Sequence, residues 1–271
     1  MKWRRGLCAA GLAVVIGVTG AARPAHAAES GRRAPDMQAQ VFGFDWVGAA
    51  ILVAGLAVGG GGGGGGLDAA VQEIKAAVDQ AKNDIIAHTD AIAAAEVKAC
   101  VRANTIEFTN INSLPPPVLI LWAQSATSCA TLASAYLQAM DSKPSIDELG
   151  FVLGPIYAIA VSARAKAGLV NGLDILRQEQ IRGYEAVAAK LVAECTHRWE
   201  KDDNPRYIYP VYITCTVYPG KVGEQTVLKG WPPGRPEPPI SYTIANQRAD
   251  ELSSRSIAND ALPRLRAGAW P

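Results

Sequence analysis

Histidine is scarce in this sequence, three among 271 residues. One of them, His26, falls in an N-terminal leader, and neither His88 nor His197 sits beside a plausible nucleophile. There is no G-x-S-x-G, H-E-x-x-H, Walker or EF-hand pattern. The run Gly59 to Gly66 lacks the Lys-Ser/Thr that would make it a phosphate cradle. Catalytic, cofactor-binding and metal-ligating residues are therefore not expected, and the carboxylate pairs Asp147/Glu148 and Asp202/Asp203 read as a helix start and a solvated loop. An excess of one charge is missing too. The chain has 26 Lys and Arg against 25 Asp and Glu, so nothing points to a phosphate backbone, and nucleic acid is not an expected partner.

Cysteine is also sparse, and no C-x-x-C occurs. The first residues have the layout of a secretory signal: basic Lys2, Arg4 and Arg5, an apolar run from Leu7 to Val18, and the small-residue site Ala25-His26-Ala27. Cleavage before Ala28 removes Cys8 and leaves 22 basic against 25 acidic residues. It also leaves four cysteines, Cys100, Cys129, Cys195 and Cys215, an even number in an exported chain. Their spacing fits two disulfides better than zinc.

Residues 28–40 are small and polar and read as a disordered leader. Residues 41–58 form an apolar helix with Phe42, Phe44 and Trp46 at one end and Ile51, Leu52 and Leu56 along it. Eight glycines in a helix would cost about 8 kcal/mol relative to alanine, so the helix should stop near Val58 and 59–66 should act as a tether. Twelve helical residues rise only about 18 Å, short of a bilayer's hydrocarbon core. The segment either docks in a groove of the same protein or contacts a membrane.

Residues 67–200 read as a bundle of about four helices, which makes the chain mainly α. Leu67, Val71, Ile74, Val78, Ala81, Ile85, His88 and Ile92 recur at steps of three and four and predict one amphipathic helix to about Thr109. His88 on this seam reads as a part-buried histidine bonded to a neighbouring helix. After the break at Asn110 to Pro116, a second helix spans about Pro117 to Asp141. Ser145 and Glu148 suggest a capping box, and the uncharged stretch Leu149 to Ala163 a central buried helix. A fourth helix runs from about Leu173 to Cys195.

The period then changes to two. Over residues 201–245 the alternation Tyr207, Tyr209, Val211, Ile213, Cys215, Val217 predicts a strand, bent or at an edge because of Pro210. Returning strands at Gln225–Leu228 and Ile240–Ile244 would complete a small antiparallel β segment around the proline-rich 232–239. Residues 246–271 read as a loose tail. Five of eight tyrosines lie between Tyr207 and Tyr242, which makes Tyr207, Tyr209, Tyr212, Tyr218 and Trp231 a candidate binding surface, or else the residues that pack the sheet onto the bundle.

The disulfide pairing follows from the helix hairpin. The midpoint of 100 and 129 falls between Leu114 and Pro115, in the predicted turn, so antiparallel helices bring Cys100 and Cys129 level. Cys195 would then pair with Cys215 and staple the β segment to the bundle.

The stretches Ile85-Ile86-Ala87-His88-Thr89-Asp90-Ala91-Ile92-Ala93-Ala94-Ala95-Glu96-Val97-Lys98-Ala99-Cys100, Leu121-Trp122-Ala123-Gln124-Ser125-Ala126-Thr127-Ser128-Cys129 and Cys195-Thr196-His197-Arg198-Trp199-Glu200-Lys201-Asp202-Asp203 resemble secreted actinobacterial proteins of unknown function. The likeness runs from about Leu67 to Val217. It implies export and a helical fold, and no activity. Two functions follow as expectations: an exported, non-enzymatic binding or cell-envelope-associated protein with a protein or envelope partner, or a membrane-active, pore-forming-like protein that uses 41–58.

Overall fold

The computed structural model describes residues 43–59, 65–92, 94–201 and 206–268. The signal peptide, the leader, Phe42 and most of the glycine run lie outside them. Among the described residues there are eight helices and one three-stranded antiparallel sheet, so the protein is mainly α with a small β segment, and the helix count exceeds the expected four.

Helix α1, Trp46–Val58, starts where the Asp45 carboxylate accepts the Gly48 N–H at 2.9 Å and stops where the glycines begin. It docks: Trp46, Val47, Ala50, Val53 and Ala54 are buried against the bundle. The long amphipathic segment is two helices rather than one, α2 (Gly65–Ala91) and α3 (Ala95–Phe108). The Thr89 hydroxyl turns back onto the Ile85 carbonyl, and the Ile92 N–H bonds to the Thr89 carbonyl, which closes α2 with a tight turn. No glycine or proline marks this break.

Helix α4, Pro116–Ala139, begins with prolines in its first turn, where their missing N–H is harmless. Helix α5, Lys143–Lys166, is the post around which the others stand. Every residue from Leu149 to Ala163 is buried, and Pro155 lies inside the helix without ending it. The expected capping box at Ser145 does not form; Ser142 occupies the N-cap position and makes no side-chain cap bond. Helix α6, Leu173–Lys190, ends before Cys195, and Gly183 within it is a close-packing site, since a Cβ there would stand 2.7 Å from the Ser134 Oγ.

The first strand is therefore β1, Glu194–Trp199, whose first two residues are those expected to end the fourth helix. Strand β2, Ile208–Tyr218, pairs with it and with β3, Lys221–Gly230, in the order β1-β2-β3. Of the two alternatives expected from Pro210, a bend or an edge, the edge is excluded, since β2 is the central strand. The proline sits where the ladder with β1 is running out, and only its carbonyl is used, by the Glu200 N–H at 3.0 Å. Val211, Ile213, Cys215 and Val217 are buried on one face, as their alternation predicts. Residues 240–244 make no strand: Thr243 opens α7 (Thr243–Glu251).

Within the stretch expected to be loose, residues 246–267 are almost entirely helical. Helix α8, Ser254–Ala267, buries Ala258, Ala261, Leu262 and Leu265 at helical spacing, and the Arg177 guanidinium donates to the Leu265 carbonyl at 2.9 Å from α6. Helix α7 lies directly on the sheet. A Cβ on Gly223 would stand 2.1 Å from the Ala245 carbonyl oxygen and 2.4 Å from the Ala249 nitrogen, both backbone atoms. Gly223→Ala is expected to push α7 off β3 and lower stability by about 1–3 kcal/mol, which equilibrium urea unfolding will measure.

Both expected disulfides are present. Cys100–Cys129 joins α3 to α4 with Cα atoms 5.6 Å apart, as the hairpin geometry requires. Cys195–Cys215 joins facing residues of β1 and β2. It locks two strands of one sheet together and does not staple the sheet to the bundle, because Cys195 lies on β1 and not at the end of α6.

Candidate functional site

A cleft of about 330 Å³ opens between the start of α1, the middle of α5 and α8. Its aromatic wall is built from Phe44 and Trp46, whose rings meet edge-on at 4.7 Å, and from Phe151 on α5. Gly154 allows this closeness, since a Cβ there would be 3.1 Å from the Tyr184 hydroxyl and 3.2 Å from the Trp46 Cβ. The rim is charged and paired. The Arg264 guanidinium on α8 donates to the Asp45 carboxylate, and also reaches Asp260 at 3.4 Å. Burial works to raise the Asp45 carboxyl, but the bonds from Arg264 and the Gly48 N–H outweigh it and hold the group below its ordinary value.

Tyr184 lines the cleft from α6 and is fully buried, yet its hydroxyl finds no hydrogen-bond partner in the protein among the described residues. Gln180, one turn earlier, comes within hydrogen-bonding range of it and works to lower its pKa, but the geometry falls short of a full bond and the Gln180 amide nitrogen and oxygen are equally unmatched. Burial pushes the Tyr184 phenol well above its ordinary range, so it stays protonated and can donate or accept. An unmet hydroxyl inside a protein costs about 1–3 kcal/mol, which makes it the most unusual polar group lining the cleft.

A second polar centre lies under the sheet. Asp147, expected at a helix start, is fully buried. Its carboxylate accepts the Tyr218 hydroxyl from β2 and, at 2.6 Å, the backbone N–H of Ser254 at the start of α8, with the Lys221 ammonium 3.9 Å away. It thereby caps α8 from another helix. One residue on, Glu148 meets the His88 Nδ1 at 2.5 Å, so His88 is bonded to a neighbouring helix, as its seam position suggests. Its ring also packs 5.0 Å from that of Phe151. These groups join elements to one another, and among the described residues no cluster of three or more His, Cys, Asp or Glu is placed to hold a metal ion.

Of the aromatic residues singled out on the β segment only Tyr209 and Trp231 come together, lining with Lys201 and residues 232–235 a second cavity of about 320 Å³. Tyr209 is buried beside that loop, whereas Tyr218 is committed to Asp147 and packs the sheet onto the bundle. Tyr212 lies on the outer face, where it donates to Glu200 at 2.6 Å and carries the Arg198 guanidinium 4.7 Å above its ring. Tyr207 is exposed at a left-handed turn with φ of 54°. The Trp231 ring stands 4.9 Å from that of Trp199 and has the Lys201 ammonium 3.4 Å from its centre.

Of the apolar N-terminal segment, Phe44 and Trp46 line the cleft, Ile51 and Leu56 are partly buried against the core, and Leu52 is half exposed. Helices α4 and α5 are long and apolar enough to cross a membrane, but α5 is almost wholly enclosed as the core of the bundle. The cleft could not be found from sequence, because its walls come from residues 44–47, 151–155, 184 and 256–264 and its key hydroxyl is recognisable only by the partner it lacks. No family model matches the chain, and neither the curated proteins nor the solved structures contain a match to it.

Proposed function

We propose that this is an exported, non-enzymatic binding protein that holds a compact, uncharged, mainly apolar ligand in the cleft between α1, α5 and α8. The observation that carries the reading is the aromatic-walled cleft itself, behind which the buried Tyr184 hydroxyl lacks a full hydrogen bond. A pocket of this size falls at the small end of ligand sites, and the pattern of apolar walls with one convergent polar group is what such sites share. Arg264 is shared between Asp45 and Asp260, so the rim carries one net negative charge and its single cation is already taken, which leaves nothing to hold an anionic ligand. The ligand that fits is a ring or branched chain with a single hydroxyl or carbonyl. Two disulfides suit an oxidising, extracellular setting, and the Ala25-His26-Ala27 site supplies the route.

Titration with 2-naphthol, followed by calorimetry, tests the reading. Binding is expected at roughly 100 μM, the range reached by a ligand of about eleven heavy atoms at ordinary ligand efficiency. Tyr184→Phe should weaken it about five- to tenfold by removing the one polar contact, and should raise the stability of the free protein by up to about 1 kcal/mol because an unmet hydroxyl is gone. No binding by the wild type, or equal binding by Tyr184→Phe, sinks the proposal.

A further inference from the structure

The sheet has two edges, and they differ. Along β3 the backbone of α7 crowds Gly223, whereas among the described residues no backbone group pairs with the outer side of β1. Which groups of β1 point outward is fixed by the ladder. The Glu200 N–H bonds to the Pro210 carbonyl in the same register that pairs Trp199 with Val211, so the bonded pairs are the even residues of β1. The 4.0 Å between the Cys195 and Cys215 Cα atoms, the short spacing of a non-bonded pair, says the same of the odd ones. The free edge therefore presents the N–H and C=O groups of Cys195, His197 and Trp199. The exposed outer face carries Glu194, Thr196 and Arg198.

We propose that β1 pairs antiparallel with β1 of a second copy of this chain, about a two-fold axis at Thr196, joining the two three-stranded sheets into one. Three registers bring the outward groups together, and charge separates them. Centring on Thr196 sets Glu194 of each copy opposite Arg198 of the other, with Thr196 facing itself. Centring on His197 would set Glu194 against Glu200, and centring on Cys195 would leave Arg198 facing Val192. In the Thr196 register the side chains Glu194, Thr196 and Arg198 fall at non-bonded positions, where cross-strand neighbours stand closest. Both charges are available. Glu194 has no ion pair among the described residues, and Arg198 has only the Tyr212 ring. Isologous pairing of this kind closes at two copies, so an open edge ends in a dimer and not a filament.

Sedimentation of the mature chain from about 5 to 500 μM tests this, since an interface resting on one short ladder is expected to dissociate within that range. Wild-type mass should climb towards twice that of the monomer. Glu194→Arg replaces two attractive contacts with two repulsive ones and should weaken association about tenfold or more, and Arg198→Glu should do the same. The double variant Glu194→Arg with Arg198→Glu restores opposite charges and should return to within about threefold of the wild type, which also shows that the single variants fail at the interface and not in folding. A wild type that stays monomeric throughout, or a double variant no better than the singles, overturns the proposal.

Discussion

Asp147→Ala should lower the unfolding free energy by about 3 kcal/mol or more, because it strands two buried groups at once. The Tyr218 hydroxyl and the Ser254 N–H both end on this carboxylate, and each loses its acceptor inside the protein. The pH dependence has a definite sign. Burial is the largest influence on Asp147 and lifts its folded pKa above the ordinary carboxylate value, although the bonds from Tyr218 and Ser254 and the charge of Lys221 pull the other way. The folded state therefore holds this proton more tightly than the unfolded chain does. What the group contributes is fully present below its unfolded pKa and is lost as pH rises through the folded value. Asp147→Asn, which cannot ionise, should lose ground to the wild type at low pH and recover it above about pH 4. Asp45 and Glu237 have lowered values and act in the opposite sense, but both chains keep them, so they cancel in the comparison. Urea melts of the pair between about pH 3 and 7 measure the difference, and a gap that widens in the wild type's favour as pH rises would contradict the assignment.

Removing the Cys100–Cys129 bridge is expected to be as costly. It closes a loop of 29 residues, and the chain-entropy account assigns such a closure about 3–4 kcal/mol. For a chain of this size that amounts to a fall of about 10 °C in melting temperature for the Cys100→Ser/Cys129→Ser variant, read by calorimetry. The bridge holds α3 against α4, and α4 packs along α5, so loosening it should expose the stretch of α5 from Leu149 to Ala163 that is buried on every side. A shift of only a degree or two would mean that the unfolded chain is already compact around this hairpin.

The pairing itself was legible in the sequence because it depends on a local symmetry, two helices leaving one turn at Leu114-Pro115. The buried stretch of α5 was legible for a similar reason, since fifteen residues without a charge have to be enclosed somewhere. What failed did so where tertiary contacts decide. The turn between α2 and α3 contains no residue that breaks helices, and the seam of apolar positions runs straight through it. Strand β1 has only Cys195, His197 and Trp199 to show its period, too short to outweigh the helix before it. Helix α8 did carry a signal, Ala258, Ala261, Leu262 and Leu265 at helical spacing, but alanine is a weak apolar marker and Pro263 lies among them. Asp147 could not be placed at all, because its partners are 71 and 107 residues away.

The contact between Asp45 and Arg264 links residues 219 positions apart and closes the described chain into a ring. Its clasp is the cleft, with one jaw made by the first helix and the other by the last. During synthesis the central bundle is complete while the second jaw is still missing, so a prematurely ended chain can bury most of its core and still have no pocket. Fraying of the described residues from either side reaches the same two jaws first. A molecule seated between them ties both jaws down at once.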